Sequence, residues 1–176
     1  MIPFVTVPEN SKTLIQLHFM IKTALITGAT SGIGKATAKL LAQNNFKIVL
    51  CGRRKDRLEA LEKELSAFTA VHHLCFDVRD KKSVFESIAS LPEAFSDIDI
   101  LVNNAGNAHG LDSIQNGDMD DWDAMIDINV KGLLYVSKAI IPKMIAKESG
   151  HIINIGSIAG KEVYPNGNVY CASKYA

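Results

Sequence analysis

The residues with the clearest chemical potential are a tyrosine and a lysine near the end of the chain, Tyr170 and Lys174. Their spacing of four places both side chains on one face of a helix, one turn apart. A nearby ammonium favours the ionised form of a phenol, so a tyrosine in this position can exchange a proton with a substrate oxygen. The pair therefore predicts acid–base chemistry. Taken alone, such a pair is also typical of a solvated helix surface.

A glycine-rich segment, TGATSGIG at residues 27–34, indicates a second kind of chemistry. It follows a short apolar run and precedes a stretch with helical periodicity. The free N–H groups and the dipole at a helix start attract phosphate, and glycines allow the backbone to approach it closely. The spacing GxxxGxG differs from the GxGxxG fingerprint. The segment predicts a pyrophosphate-binding turn, and a glycine-rich turn without a ligand is the alternative.

The end of the second apolar run carries information about the nucleotide. An acidic residue about twenty positions past the glycine turn would bind the ribose 2′-hydroxyl of NAD. Gly52 occupies that position here, and Arg53 and Arg54 follow. The planar fork of a guanidinium suits a 2′-phosphate. The segment predicts NADP(H) as cofactor, with Arg53 as the main contact and Arg54 at the start of the next helix.

These groups must be positioned by alternating strands and helices. The apolar runs are each followed by a helical pattern, which indicates a parallel sheet covered on both faces. Right-handed crossovers then favour an α/β fold with a doubly wound parallel sheet, the Rossmann fold, with about five strands. The predicted strands are Thr23–Thr27, Phe46–Cys51, His72–Val78, Ile98–Val102 and His151–Ile155.

Apolar spacing also predicts which helix faces are buried. A long helix is predicted over residues 118–147, and Pro142 would kink or end it. A short last helix would begin near Val169. The predicted inward residues are Ile33, Ala36, Thr37, Leu40 and Leu41 in the first helix, Leu58, Leu61 and Leu65 in the second, and Trp122, Ile126, Val130, Leu133 and Leu134 in the long one.

Composition bounds the class of protein. The chain has 176 residues, is 47% hydrophobic, and balances 19 basic against 19 acidic residues, which argues against disorder and against nucleic-acid or membrane-surface binding. Three separated cysteines favour a reducing cytoplasm, no metal site is expected, and no run reaches the roughly 20 apolar residues of a membrane helix. Residues 1–20 are expected to be a poorly ordered extension, and residues 21–176 one nucleotide-binding domain.

The order of these motifs resembles that of the short-chain dehydrogenase/reductase family. The family's TGxxxGIG turn is matched by Gly28, Gly32 and Gly34, and its NNAG motif by residues 103–106. The resemblance covers the chain from Lys22 to the end. Further matches, in chain order, are Asp77, Asn129 in IDINVKG, Ser157, and the YxxxK motif of Tyr170 and Lys174.

The resemblance implies a role for each matched residue. Tyr170 would exchange the proton, Lys174 would also bind the nicotinamide ribose, and Ser157 would hydrogen-bond the substrate carbonyl. Asn129 would hold a water that relays protons from Lys174 to solvent. The implied cofactor contacts are Gly28, Thr30, Ser31, Gly32, Ile33, Gly34, Arg53, Arg54, Asp77, Val78, Asn104, Ala105, Gly106, Tyr170 and Lys174.

Longer stretches narrow the resemblance to one branch of the family. CGRRKDRL, IDILVNNAG, DWDAMIDINVKGL, GHIINIGS and GNVYCASK resemble bacterial NADP-dependent 3-hydroxy acid dehydrogenases. This resemblance implies hydride transfer between NADP(H) and a small hydroxy acid or ketone, such as serine or allo-threonine. It also implies a homo-oligomer.

Members of the family are longer and continue through two further strands, which supply the substrate lid and part of the subunit interface. A chain that ends at Ala176 is therefore expected to be truncated and to expose its fifth strand as an apolar sheet edge. Two hypotheses stay open: an NADP-dependent oxidoreductase, and a truncated nucleotide-binding remnant with little or no catalysis. Both retain the same motifs.

Overall fold

The computed structural model describes residues 21–176, so the expectation for residues 1–20 lies outside the described part. Five parallel strands form one sheet in the order β3-β2-β1-β4-β5. This order confirms the doubly wound sheet. The strands are β1 (Thr23–Thr27), β2 (Lys47–Gly52), β3 (Val71–Cys75), β4 (Ile100–Asn103) and β5 (His151–Asn154).

Within residues 21–176, six α-helices connect and follow the strands. A π-helical turn, Asp127–Gly132, joins the fourth helix to the fifth, and two short 3₁₀ turns lie at Glu93–Phe95 and Ile158–Gly160. The helices are α1 (Gly32–Gln43), α2 (Lys55–Leu65), α3 (Lys81–Ala89), α4 (Met119–Ile126), α5 (Leu133–Ala146) and α6 (Asn168–Tyr175).

The core has two layers, one on each face of the sheet. Alternate strand residues point to opposite faces, so Ile26 packs with α1 and α2, whereas its neighbour Leu25 packs with α3 and α5. Leu58, Leu61 and Leu65 of α2 are buried as expected. The two apolar layers hold the sheet rigid, and the loops after its strands are thereby brought together at one edge.

The buried face of α1 differs from the prediction. Ile33 and Leu40 are exposed, and the buried residues are Gly34, Ala38 and Ala42. A Cβ on Gly34 would lie 2.6 Å from the Gly28 carbonyl oxygen. The helix therefore runs so close to the chain after β1 that only small side chains fit on its inner face.

The long helical segment is also buried on a different face. Leu134 is exposed, whereas Val136, Ile140 and Met144 of α5 are buried. The π-helical turn changes the phase of the helix and so rotates the residues that follow relative to an uninterrupted α-helix. The helix does not end at Pro142 but continues to Ala146.

Two features at the sheet edges complete the fold. β3 ends at Cys75, earlier than predicted, because its partner β2 ends at Gly52 and the pairing stops there. At the other edge, all four residues of β5 are exposed, including Ile152 and Ile153. In the described residues, β5 therefore forms one edge of the sheet.

Candidate active site

The glycine turn after β1 is held in place by a threonine and an asparagine. The hydroxyl of Thr27 accepts hydrogen bonds from the backbone N–H groups of Asn104 and Ala105, each at 3.0 Å. The Asn104 side-chain amide donates to the carbonyl oxygens of Thr27 and Gly28, at 2.9 and 3.2 Å. These bonds join the turn after β1 to the loop after β4.

The first glycine of this turn, Gly28, cannot be replaced by a residue with a side chain without strain. Gly28 has a φ of +63°, and a Cβ there would lie 2.9 Å from the Asn104 amide nitrogen. Gly32 begins α1 with a φ of +52°, also in the left-handed region. The turn therefore presents bare backbone and the start of α1 to the space above the sheet, which is the geometry that admits a pyrophosphate.

A groove of about 650 Å³ runs along the carboxyl ends of the strands. Most residues predicted to bind the cofactor line it, from the glycine turn through the arginine pair to the loop after β4 and α6. Gly34 lies behind the wall, and Asn129 and Ser157 are outside the lining. The predicted residues on the wall are Gly28, Thr30, Ser31, Gly32, Ile33, Arg53, Arg54, Asp77, Val78, Asn104, Ala105, Gly106, Tyr170 and Lys174.

The two arginines after β2 make different contacts. The guanidinium of Arg54 donates to the hydroxyls of Thr30 and Ser31, at 2.6 and 3.2 Å, and Arg54 immediately precedes α2 as its N-cap. The guanidinium of Arg53 lies 3.5 Å from a carboxylate oxygen of Asp77, and its side chain is 60% exposed. Two cationic groups and two hydroxyls thus meet at one end of the groove.

Asp77, after β3, is part of the same end of the groove. Burial raises the pKa of its carboxyl group, but hydrogen bonds from the side chain and backbone of Arg79, together with the charges of Arg79 and Arg53, outweigh that effect and lower the pKa overall. The guanidinium of Arg79 is 2.8 Å from the carboxylate. The carboxylate is therefore ionised at neutral pH and fixed in orientation.

Tyr170 and Lys174 lie on one turn of α6 at the opposite end of the groove. The Lys174 ammonium nitrogen is 6.0 Å from the centre of the Tyr170 ring and donates to the Ile155 carbonyl oxygen at 3.3 Å. A Cβ on Gly106 would lie 3.4 Å from that nitrogen. The side-chain pair predicted from the spacing therefore faces the groove rather than bulk solvent alone.

Ser157 and Asn129 are not among the residues that line the groove. Ser157 follows the groove residue Gly156, and its hydroxyl accepts a hydrogen bond from the backbone N–H of Ala159 at 3.2 Å. The side-chain oxygen of Asn129 accepts from the Asn107 N–H, and its amide nitrogen donates to the Asn107 carbonyl, both at 2.9 Å. Asn129 thereby fixes the loop after β4.

Some groove residues were missed by sequence reasoning. They all follow strand ends or adjoin predicted residues, so the rule that ligands bind beyond the carboxyl ends of parallel strands could have found them. Thr27, which holds the turn from beneath, is the first residue of the TGxxxGIG motif, but the motif did not indicate its hydrogen bonds to the loop after β4. The missed lining residues are Gly52, Phe76, Asn107, Ala108, Ile128, Ile155 and Gly156.

Residues 21–176 contain no group of three or more histidine, cysteine or acidic side chains placed to hold a metal ion. The three cysteines, Cys51, Cys75 and Cys171, are not joined by disulfides. In the same residues, no helix is both long and apolar enough to span a membrane.

The sheet order and the groove above the strand ends define a Rossmann-type α/β protein. Residues 22–176 match the family described as short chain dehydrogenase, and the chain belongs to that family. The resemblance stated from the motifs is thereby confirmed.

Individual relatives are similar over most of this chain. It is 47% identical over 150 residues to an NADP-dependent 3-hydroxy acid dehydrogenase of Salmonella typhi. The aligned residues make up 85% of this chain and 60% of that relative. It is 47% identical over 156 residues to sulfoacetaldehyde reductase 2 of Chromohalobacter salexigens, covering 88% and 62%. The closed form of a serine dehydrogenase complexed with NADP+ superposes with a TM-score of 0.82 at 44% identity, covering 87% of this chain and 61% of that one. The chain thus spans about three fifths of the length of these relatives.

Proposed function

We propose that the protein is an NADP(H)-dependent oxidoreductase that interconverts an alcohol and a carbonyl on a small hydroxy acid, such as serine or allo-threonine. The observation that carries the proposal is one groove with a bare glycine turn and two arginines at one end and Tyr170 with Lys174 at the other. Such a groove accommodates a dinucleotide whose reactive end lies beside an acid–base pair.

The lining fits NADP(H) on chemical grounds. A Cβ at Gly28 or Gly34 would collide with the Asn104 side chain, whereas a Cβ at Gly32 would meet nothing within 4 Å, so the space at the start of α1 is open to a phosphate. Arg53 and Arg54 offer donors to a 2′-phosphate, and Asp77 and Val78, which line the same groove, would contact the adenine. When bound, NADP(H) supplies or accepts the hydride.

Each residue of the second end has a step to perform. Tyr170 donates a proton to the substrate oxygen in reduction and accepts one in oxidation. Lys174 places a positive charge 6.0 Å from the centre of that ring and binds the adjoining ribose. Ser157 hydrogen-bonds the substrate oxygen. For this its hydroxyl, which accepts from Ala159, still has its own proton to donate.

Asn129 is proposed to support the return of the proton to solvent. Its amide nitrogen and oxygen are engaged with the Asn107 backbone, which leaves an oxygen lone pair for a water near Lys174. That water would pass protons between the Lys174 ammonium and the outside of the groove.

The substrate class rests on the relatives. A 3-hydroxy acid dehydrogenase and a sulfoacetaldehyde reductase are both close to half identical to this chain, and their names specify small anionic molecules. We therefore propose a small hydroxy acid or ketone as substrate, a homo-oligomer as the working form, and the reducing cytoplasm as its location, which three unpaired cysteines support.

The test is the Tyr170→Phe substitution in protein expressed from the complete coding sequence. The substitution removes the only ionisable atom of the ring, so kcat for NADP+-dependent oxidation of serine should fall about a hundredfold or more, and NADPH binding should change little. Undiminished turnover in Tyr170→Phe would overturn the mechanism. Unsubstituted protein that binds NADPH but turns over neither serine nor 3-hydroxypropanoate would favour the alternative, a nucleotide-binding protein without catalysis.

A further inference from the structure

Helix α6 carries both Tyr170 and Lys174. Its buried residues, Cys171 and Ser173, determine how the helix packs against the rest of the fold and therefore where Tyr170 and Lys174 lie. Ser173 lies between the two residues in sequence, is only 4% exposed, and faces the π-helical turn rather than the groove. It is therefore placed to anchor the helix from its buried side.

The Ser173 hydroxyl makes two hydrogen bonds at once. It donates to the carbonyl oxygen of Tyr170 at 2.8 Å and accepts from the side-chain amide of Asn129 at 2.9 Å. A serine within a helix commonly bonds a carbonyl of the preceding turn, but the second bond is a tertiary contact between residues 44 positions apart. The hydroxyl thus joins the backbone of the tyrosine to the π-helical turn.

The connection continues from Asn129 to the groove wall. The same amide group that donates to Ser173 also donates to the Asn107 carbonyl, and its oxygen accepts the Asn107 N–H. Asn107 lines the groove. One continuous series of hydrogen bonds therefore links a wall of the groove to the turn of α6 that presents Tyr170 and Lys174.

We propose that Ser173 is a positioning residue, which sets the depth and rotation of the last turn of α6 so that Tyr170 and Lys174 meet the groove together. The proposal rests on the proposed function for its kinetic consequences, but not for the placement itself. Without the hydroxyl, Asn129 loses its hydrogen bond to α6, and the helix can move away from the wall. A displacement of about 1 Å at a catalytic group can cost a hundredfold in rate.

The test substitutes Ser173→Ala and compares it with Ser137→Ala. Ser137 is a matched control because it is also a buried helical serine whose hydroxyl accepts from an asparagine amide, that of Asn103 at 3.0 Å. Both variants should lower the melting temperature to a similar extent. Only Ser173→Ala should lower kcat, by about tenfold or more, with the Kd for NADPH within about twofold of the unsubstituted value.

A second measurement does not depend on turnover. Hydrogen–deuterium exchange is measured for the backbone amides of α6 in each protein. In Ser173→Ala these amides should exchange about tenfold faster or more, because the hydroxyl no longer joins the helix to Asn129. Ser137→Ala should leave the exchange of α6 unchanged.

Either measurement can overturn the proposal. Ser173→Ala with unchanged hydrogen exchange in α6, or with kcat within threefold of the unsubstituted protein, would show that the hydroxyl does not position the pair. The same is true if Ser137→Ala reproduces both effects, or if Ser173→Ala no longer folds, since the hydroxyl would then serve the fold as a whole. If the unsubstituted protein proves inactive, the proposed function fails, and the hydrogen exchange of α6 still decides whether Ser173 holds the helix in place.

Discussion

At the scale of single residues, the two adjacent arginines show how neighbours acquire different tasks. Arg54 is committed to the hydroxyls of Thr30 and Ser31, and so braces the glycine turn against the start of α2. Arg53 makes one long contact with Asp77 and remains largely exposed. A weakly held, exposed guanidinium can turn towards an incoming phosphate at little cost, whereas Arg54 would have to share its existing bonds.

This difference predicts unequal effects on cofactor choice. Arg53→Ala should reduce the preference for NADPH over NADH by about tenfold or more, the effect of losing a charge-assisted hydrogen bond to phosphate, and should leave NADH binding unchanged. Arg54→Ala should reduce this preference less and should weaken the binding of both NADPH and NADH, because it loosens the glycine turn that both nucleotides would contact. The measurement is the Kd of each nucleotide by fluorescence titration. A preference that survives Arg53→Ala would contradict the assignment of Arg53 to the 2′-phosphate.

At the scale of elements, the 3₁₀ turn at Ile158–Gly160 packs directly on α6. A Cβ on Gly160 would lie 2.5 Å from the Lys174 carbonyl oxygen and 3.2 Å from its carbonyl carbon. Because those are backbone atoms, no side-chain rotation can relieve the contact. The turn that begins with Ser157 and the helix that carries Lys174 can thus lie this close together only because Gly160 has no side chain.

Gly160→Ala should therefore separate these two elements. We expect kcat to fall about tenfold or more, with a loss of about 1–3 kcal/mol in the free energy of unfolding from overpacking. Steady-state kinetics and urea unfolding measure the two effects. Lys161→Ala, at the next and exposed position, is the control and should change neither. Unchanged kinetics in Gly160→Ala would show that the spacing of the two elements does not matter for the reaction.

At the scale of the whole molecule, ion pairs connect several segments at the end of the sheet opposite the groove, where β1 begins. The Lys147 ammonium, just after α5, lies 2.6 Å from Asp97 and 2.8 Å from Asp99. Asp99 in turn accepts the backbone N–H of Thr23 at the start of β1. Burial lowers the pKa of Lys147, but hydrogen bonds to Asp97 and Asp99 outweigh it and raise the pKa above 10.5.

A raised lysine pKa contributes stability that is complete below the unfolded value and is lost as pH rises through the folded value. Lys147→Met should therefore lower the free energy of unfolding by roughly 1–3 kcal/mol at pH 7, and this difference should shrink above pH 10.5. Denaturant unfolding across pH measures it. Lys82→Met removes an exposed pair with Glu86 and should have little effect at any pH. A difference for Lys147→Met that stays constant above pH 11 would exclude the ionic explanation.

The sequence predicted the strands, their parallel arrangement and most of the residues that line the groove, because these follow from local patterns. Continuous apolar runs mark buried strands, and a glycine turn between a strand and a helix marks the phosphate position. The face of α1 was predicted wrongly. Ile33 and Leu40 have the hydrophobicity of core residues, but Gly34, Ala38 and Ala42 take the inner face because the helix approaches the sheet too closely for large side chains.

What the sequence alone determined was therefore the fold class, the family and the residue types at each end of the groove, since the order and spacing of motifs along the chain encode them. Only the tertiary structure decided the partners: Arg54 on Thr30 and Ser31, and Ser173 between Asn129 and Tyr170. The physical reason is that a hydrogen bond between residues far apart in sequence depends on how closely two elements pack and on the phase of each helix. The π-helical turn at Asp127–Gly132 alters that phase, and the apolar spacing of the sequence did not predict this turn.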